Sequence, residues 1–247
     1  VNAIHMVSNF DDLSRRHIAH HVDRVDFAGF DIVETLRALP KSIRWAILSL
    51  EWLYFPVITF WLQWRGVLKT WRNPDQRLRI AVTLMIRGML LASLGWISFK
   101  ALVLYFVAHV GMINLLRWMD AFQHTYEVIP IGTSVPERSR KHEQANTFST
   151  LISPRYRWLN LLLLNFGYHN AHHEIMKCPW HSLPALDHLL FQGNEVHYLP
   201  LSQLILSYHR FRIKRIFSGQ GQGTDEDRQP TPDRFYGAIG VSFLTVY

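Results

Sequence analysis

The chain has 247 residues, of which 49% are hydrophobic and 13% aromatic, so a disordered protein is excluded and one domain that buries a large core or sits in lipid is favoured. Its formal net charge of +7 does not indicate nucleic-acid binding, because the lysines and arginines lie between long apolar runs, as in the cytoplasmic loops of membrane proteins. No secretory signal opens the chain, and its first residue is Val1 and not Met, which fits a fragment or a processed product.

The first apolar stretch, residues 43–64, is rich in aromatic residues but also contains Arg44, Glu51 and Pro56. We expect it to form a helix that lies in or dips into the membrane interface, with a true membrane span as the alternative. The basic, turn-rich segment 65–79 that follows is then expected on the cytoplasmic side of the membrane.

The main membrane element is predicted in residues 80–118, which are almost wholly apolar apart from Arg87, Lys100 and His109. At about 1.5 Å per residue, this run is about twice as long as one crossing of about 30 Å of hydrocarbon. We therefore predict two tilted spans with a turn near residues 95–100. A single long helix that protrudes from the bilayer is less favoured, because it would place Lys100 at mid-depth.

Downstream of the hairpin, residues 128–146 are polar and are predicted to form a surface loop, whereas residues 156–166 are apolar and are predicted to form a helix. We predict an all-α membrane domain over residues 1–217, with a transmembrane hairpin and a helical cap on the cytoplasmic side. Residues 218–247 are predicted to be a flexible polar tail with an apolar end, because the Gly, Gln, Asp and Pro of residues 218–234 cannot bury a core.

Histidine is the metal ligand that the composition offers, since the chain has 14 histidines and one cysteine, Cys178, which excludes a disulfide framework or a cysteine-based metal site. Three motifs carry the candidate ligands: HIAHH with His17, His20 and His21; DAFQH with Asp120 and His124; and HNAHH with His169, His172 and His173.

Both HxxHH motifs place histidines at positions i, i+3 and i+4, which lie on one face of a helix, and the adjacent histidines diverge by about a hundred degrees, so they can serve two different ions. Asp120 and His124 are spaced i and i+4, so we expect both to point from the cytoplasmic end of a helix toward one spot. Neutral imidazole suits iron, zinc and copper, and ligand softness alone does not choose among them.

A single HxxHH motif arises by chance in a histidine-rich chain, and Asp120 with His124 alone is more often a capped helix end. Two HxxHH motifs on either side of an apolar hairpin make coincidence a poor explanation. The remaining histidines lack such spacing and are taken as structural, interfacial or solvated: His5, His109, His142, His181, His188, His197 and His209.

The segment NFGYHNAHHEIMKCPWHSLPALD, residues 165–187, resembles the last histidine box of the membrane fatty acid desaturases and its following aromatic, Leu-Pro stretch. HIAHH resembles the middle box of that family. The position of DAFQH just after the predicted spans resembles the additional metal-binding histidine of stearoyl-CoA desaturases, where an Asn four residues earlier contacts the site through water; this chain has Asp120 there. The resemblance covers roughly residues 14–190, and the family's first box, HxxxH or HxxxxH, has no counterpart before His17. The first spans and the first box of the family are therefore expected to be missing from this sequence by N-terminal truncation, which leaves the chain with part of the family's ligand set and an enzyme that can be inactive as this fragment.

The resemblance implies two non-haem iron ions that activate O2 with electrons from a carrier and remove two vicinal hydrogens from a lipid acyl chain. The implied ligands are His17, His20, His21, His124, His169, His172 and His173, with Asp120 and Asn170 as water-mediated or supporting partners. The implied protein is an integral membrane enzyme whose active site faces the cytoplasm, and its basic surface is expected to receive an acidic electron donor such as ferredoxin or cytochrome b5. No nucleic-acid partner is expected.

Two alternatives stay open from the sequence. A hydroxylase or ketolase of the same superfamily, acting on a carotenoid, sterol or alkyl chain, would carry the same histidine boxes. A truncated, non-catalytic membrane protein would bind zinc or no metal through them.

Overall fold

The computed structural model describes residues 10–29, 31–191, 198–199, 201–226 and 230–239. Helices dominate this part of the chain, which confirms the all-α prediction, although two short strands form one parallel pair. The elements are α1 (Phe10–Asp23), β1 (Asp26–Ala28), α2 (Ile32–Ala38), α3 (Lys41–Trp52), α4 (Val57–Trp71), α5 (Pro74–Ile97), α6 (Phe99–Asp120), β2 (Val128–Pro130), α7 (Arg140–Ala145), a 3-10 helix (Arg157–Leu163), α8 (His169–Glu174), α9 (Leu183–Phe191), α10 (Leu201–Arg210) and α11 (Lys214–Ser218).

Helices α5 and α6 form the predicted apolar hairpin. Each is long and apolar enough to cross a membrane, with mean hydropathy of 1.8 and 1.7, and nearly all of their apolar side chains face outward. Ser98 breaks the run with an extended backbone, and its side chain accepts a hydrogen bond from the backbone N–H of Ala101, which caps the start of α6. The hairpin prediction is confirmed, and α5 extends back to Pro74, because Asn73 caps it by accepting from the N–H of Asp75.

Residues 43–64 do not form the single helix that was predicted, because α3 and α4 meet at an angle of 112°. The break contains Pro56, which has no backbone N–H, and Tyr54, whose φ of 63° lies in the left-handed region. Glu51 stabilises the bend, since its Oε1 accepts a hydrogen bond from the N–H of Ile58 at 2.7 Å. Its Oε2 accepts from both terminal guanidinium nitrogens of Arg117 at 3.0 Å, which fixes the bend against α6.

The polar segment 128–146 is more structured than predicted. Strand β2 pairs with β1 in parallel, with Asp26 opposite Val128, and α7 begins after a Ser139 cap and buries Glu143. The segment 156–166 is helical as predicted, but as a 3-10 helix that ends where Leu164 and Asn165 adopt positive φ angles.

The prediction of a flexible tail is wrong for residues 218–226 and 230–239. The ring of Phe235 is fully buried against Phe122 and Phe148, and Gly221 pairs with Phe235 in an antiparallel bridge. The backbone of Gly223 also lies close against the Phe148 ring, and only glycine fits there, because a Cβ on Gly223 would lie 2.3 Å from that ring. The glycine content that suggested flexibility therefore allows backbone and ring to pack together.

Candidate metal centre

The two HxxHH motifs lie on short helices that face each other. HIAHH occupies the C-terminal half of α1 and HNAHH opens α8, so the helical spacing predicted for both is confirmed. The start of α8 is fixed to the preceding segment, since Gly167 O accepts from the N–H of Thr150 at 2.9 Å and the N–H of Asn170 donates to Ser149 Oγ at 3.1 Å. Both helices thus present their histidines toward the same interior.

His124 reaches this interior by a different route from the one predicted. Helix α6 ends at Asp120, and His124 lies four residues further on, in an antiparallel bridge with Thr147. The prediction that Asp120 and His124 share a helical face is therefore wrong. The chain turns at residues 121–123, and this turn directs His124 toward the histidines of α1 and α8.

The first group of histidines is His17, His21 and His172. The Nε2 atom of His172 lies 3.1 Å from that of His17 and 3.1 Å from that of His21, and the His17 and His21 Nε2 atoms are 3.3 Å apart. Three ring nitrogens from two helices therefore converge on one point.

The second group is His20, His124 and His173, with His169 beside them. His124 Nε2 lies 3.1 Å from His20 Nε2 and 2.8 Å from His169 Nε2. The ring of His173 lies 4.6 Å from the His124 ring and 4.7 Å from the His169 ring, measured between centroids. The structure therefore brings together all seven histidines singled out in the sequence.

The spacing of the ring nitrogens in both groups fits a bound metal ion better than it fits hydrogen bonds between neutral rings. Two nitrogens that bind one ion at about 2.1 Å with a right angle between them lie about 3 Å apart, which matches the separations observed. Among the described residues, His173 Nε2 is a buried ring nitrogen of the cluster with no hydrogen-bond partner. A buried polar atom of this kind fits a bound ion.

Burial also keeps the imidazoles neutral, as metal binding requires. It lowers the pKa of His20 and of His172 to about 4 and that of His21 to about 2, with neighbouring histidines adding to the effect. The pKa values of His124, His169 and His173 are lowered well below 6.5 by the same cause. At neutral pH the cluster therefore offers lone pairs and no positive charge.

Three residues that the sequence did not single out contact the cluster. Asp26 Oδ1 lies 3.4 Å from His20 Nδ1, and the same nitrogen lies 2.9 Å from Val25 O. Burial raises the pKa of Asp26 to about 7, although a hydrogen bond from Gln220 acts in the opposite direction. Glu143 Oε1 lies 2.9 Å from His173 Nδ1. The ring of Tyr126 stacks on His124 at 4.3 Å.

Neither of the two predicted supporting residues makes a hydrogen bond to the cluster within the described part of the chain. Asp120 is buried and lines a separate small polar cavity with Glu51, Arg117 and Arg215. Asn170 borders a cavity of about 300 Å³ next to His173, and its Oδ1 has no hydrogen-bond partner. Their water-mediated roles stay predictions.

The other histidines that the structure describes lie away from this centre or at its edge. His209 lies 2.6 Å from the Tyr54 hydroxyl, His109 stacks between Phe60 and Tyr105 near α4 and α6, and His142 stacks on Tyr126. His181 and His188 are exposed. His5 and His197 lie outside the described residues.

Comparison with known families gives one match, to the fatty acid desaturase family, over residues 3–204. No curated protein and no solved structure gives a significant match. Because the match covers most of the chain and contains both HxxHH motifs, the chain belongs to the fatty acid desaturase family. This family is one of oxidoreductases, and membership together with the apolar hairpin indicates association with a membrane.

Proposed function

We propose that the protein is an O2-dependent fatty acyl desaturase that introduces a double bond into a lipid acyl chain at a histidine-ligated di-iron centre. The observation that carries the proposal is the convergence of two separate groups of imidazole nitrogens, one for each ion. His17, His21 and His172 would hold one iron, and His20, His124, His169 and His173 would hold the other.

Bound iron would supply, with O2, the oxidising power needed for an unactivated C–H bond. The protein's own groups would hold the rings in place. The His20 ring is fixed through its Nδ1, which lies within hydrogen-bond distance of Val25 O and close to Asp26 Oδ1, and Tyr126 stacks on the His124 ring. Such contacts to the far side of a ligating imidazole set its tautomer and its orientation.

The hairpin supports a lipid substrate and a membrane location. Both ends of the hairpin lie on one side of the membrane if both helices cross it, which agrees with histidines from before and after the hairpin forming one cluster. The basic segment 65–79 favours the cytoplasm for that side, by the excess of Lys and Arg found in cytoplasmic loops. An acidic electron donor such as ferredoxin or cytochrome b5 is the partner that this charge favours.

The test combines metal content with product analysis. We expect the detergent-purified protein to contain about two irons per chain, and membranes that carry it to desaturate a supplied acyl lipid when an electron donor is present. His172→Ala should abolish desaturation and lower the iron content while membrane insertion is kept. His188→Ala is the matched control, because His188 is exposed and lies away from the cluster.

Three outcomes would contradict this proposal or favour one of its alternatives. Retained desaturation in His172→Ala would contradict the ligand assignment. A product that gains an oxygen atom would indicate the hydroxylase or ketolase alternative. Near-stoichiometric zinc with no iron would indicate a non-catalytic metal-binding protein.

A further inference from the structure

Glu143 is a buried carboxylate whose two oxygens are both engaged. Its side chain is 10% exposed; Oε1 lies 2.9 Å from His173 Nδ1, and Oε2 accepts a hydrogen bond from Arg24 Nε at 2.8 Å. A buried charge is stable only when it is paired and hydrogen-bonded, and Glu143 meets both conditions. Glu143 also forms a third group with His21 and His173, in which the ligand atoms lie within 4.8 Å of one another, so its role beside the cluster is either that of a ligand or that of a support for His173.

The contact with Glu143 decides which nitrogen of His173 is available to a metal. A carboxylate accepts hydrogen bonds, so it favours the proton on Nδ1 of His173. The other nitrogen, Nε2, is buried and has no hydrogen-bond partner among the residues that the structure describes, and His173 lies in one group with His20 and His124. Glu143 thus fixes the ring with its free lone pair on Nε2.

Arg24 connects this carboxylate to the end of α1. Its backbone follows α1 directly and has a φ of 55°, a left-handed conformation that is unfavourable for a non-glycine residue. The conformation is stabilised at three points: the Arg24 N–H donates to His20 O, Nη1 donates to Arg138 O at 2.9 Å, and Nε donates to Glu143. Arg24 therefore links α1, which carries HIAHH, to the Glu143 carboxylate, which contacts His173 of HNAHH.

We infer that Arg24 and Glu143 form a positioning pair that orients His173 toward the second ion and couples α1 to α8. Glu143 acts through His173 and is not itself a ligand. The inference rests on the proposed metal centre, and it adds a role for two residues that no histidine motif contains.

The test measures Co²⁺ binding to the metal-free, detergent-purified protein, followed by the visible absorption of bound Co²⁺. Glu143→Gln keeps the size and an amide oxygen but removes the charge, so we expect binding at the site with His173 to weaken by about 10- to 100-fold and the absorption spectrum to shift. At saturating Co²⁺ the stoichiometry should equal that of the wild type. Arg24→Gly, which relieves the left-handed backbone, should weaken binding less, because the carboxylate remains.

Two comparisons separate positioning from general damage. Glu174→Gln is the matched control, because Glu174 follows His173 on α8 but pairs with Arg140 and Gln144 and not with a histidine; its Co²⁺ binding and spectrum should be unchanged. In a His173→Ala background, Glu143→Gln should have little further effect, since its action passes through the missing ring.

An unchanged affinity and spectrum in Glu143→Gln would overturn the inference, and so would an equal loss with and without His173. Loss of one bound Co²⁺ at saturation would make Glu143 a ligand and overturn its positioning role. A wild-type protein that binds no Co²⁺ would overturn the metal centre itself, and the inference with it.

Discussion

The buried ion pair between Glu51 and Arg117 should contribute strongly to stability, because breaking it leaves a charge without a partner. Only 5% of Glu51 and 9% of Arg117 is exposed. Glu51→Leu removes both the acceptor for Arg117 and the acceptor for the Ile58 N–H. Loss of one partner of a buried pair costs about 3–5 kcal/mol. The unpaired N–H adds about 1 kcal/mol.

The double variant Glu51→Leu with Arg117→Met should be more stable than Glu51→Leu alone, since it removes both charges and leaves chiefly the unpaired N–H of Ile58. We expect its cost to be about 1–3 kcal/mol. The assay is unfolding in mixed detergent–SDS micelles followed by tryptophan fluorescence. Glu127→Ala, which breaks the exposed pair with Arg138, is the control and should cost at most about 1 kcal/mol. The reasoning is refuted if Glu51→Leu costs no more than this control, or if the double variant costs the sum of its two single variants.

Three further predictions use the same protein. Phe235→Ala should lower the free energy of unfolding by about 3–5 kcal/mol, because the ring of Phe235 is fully buried. A loss below about 1 kcal/mol in the same unfolding assay would instead support the prediction that this segment is a flexible tail. Gly167→Ala should weaken Co²⁺ binding and lower the thermal midpoint, because the new Cβ would lie 2.4 Å from Thr150 O two residues before His169, whereas Gly88→Ala, with nothing within 4 Å, should leave both unchanged. The thermal midpoint of the chelator-treated protein should fall between about pH 6.5 and pH 4, because the folded-state pKa values of His20 and His172 lie near 4 and the unfolded state binds more protons on these histidines in that window. The raised pKa values of the buried carboxyls Asp26 and Asp120 oppose this fall, but the lowered pKa values of His21, His124, His169 and His173 add to it. A midpoint that does not fall in that window would contradict the burial of these histidines as neutral rings.

The membrane part of the fold was predictable because it depends on local properties. The apolar run of residues 80–118 set the length of the hairpin, and the polar residues near Lys100 marked the turn that Ser98 makes. The bend between α3 and α4 was not predictable, although Pro56 was visible in the sequence. The bend is held by the contact of Glu51 with Arg117, which lies 66 residues further along the chain, so its angle depends on tertiary structure.

The histidines of the site were predictable, and their supporting residues were not. Spacing at i, i+3 and i+4 is a property of the helix itself, so His169, His172 and His173 could be read from one motif. Glu143 lies in a polar segment with no such spacing, and only tertiary structure buries it against His173 and Arg24. A buried glutamate and a solvated one have the same sequence signature, so only the three-dimensional structure identifies Glu143 as buried.

The contacts of His172 with His17 join residues 155 positions apart, and the whole hairpin lies between them. A ribosome must therefore release α1 to α8, including both hairpin helices, before the two motifs can meet, so the site is assembled only after the hairpin has been made. Closing so long a segment carries a large entropic cost, and an ion held by both helices would offset part of that cost by acting as a cross-link. Iron supply would then govern how much protein completes its folding, as well as how much of it is active.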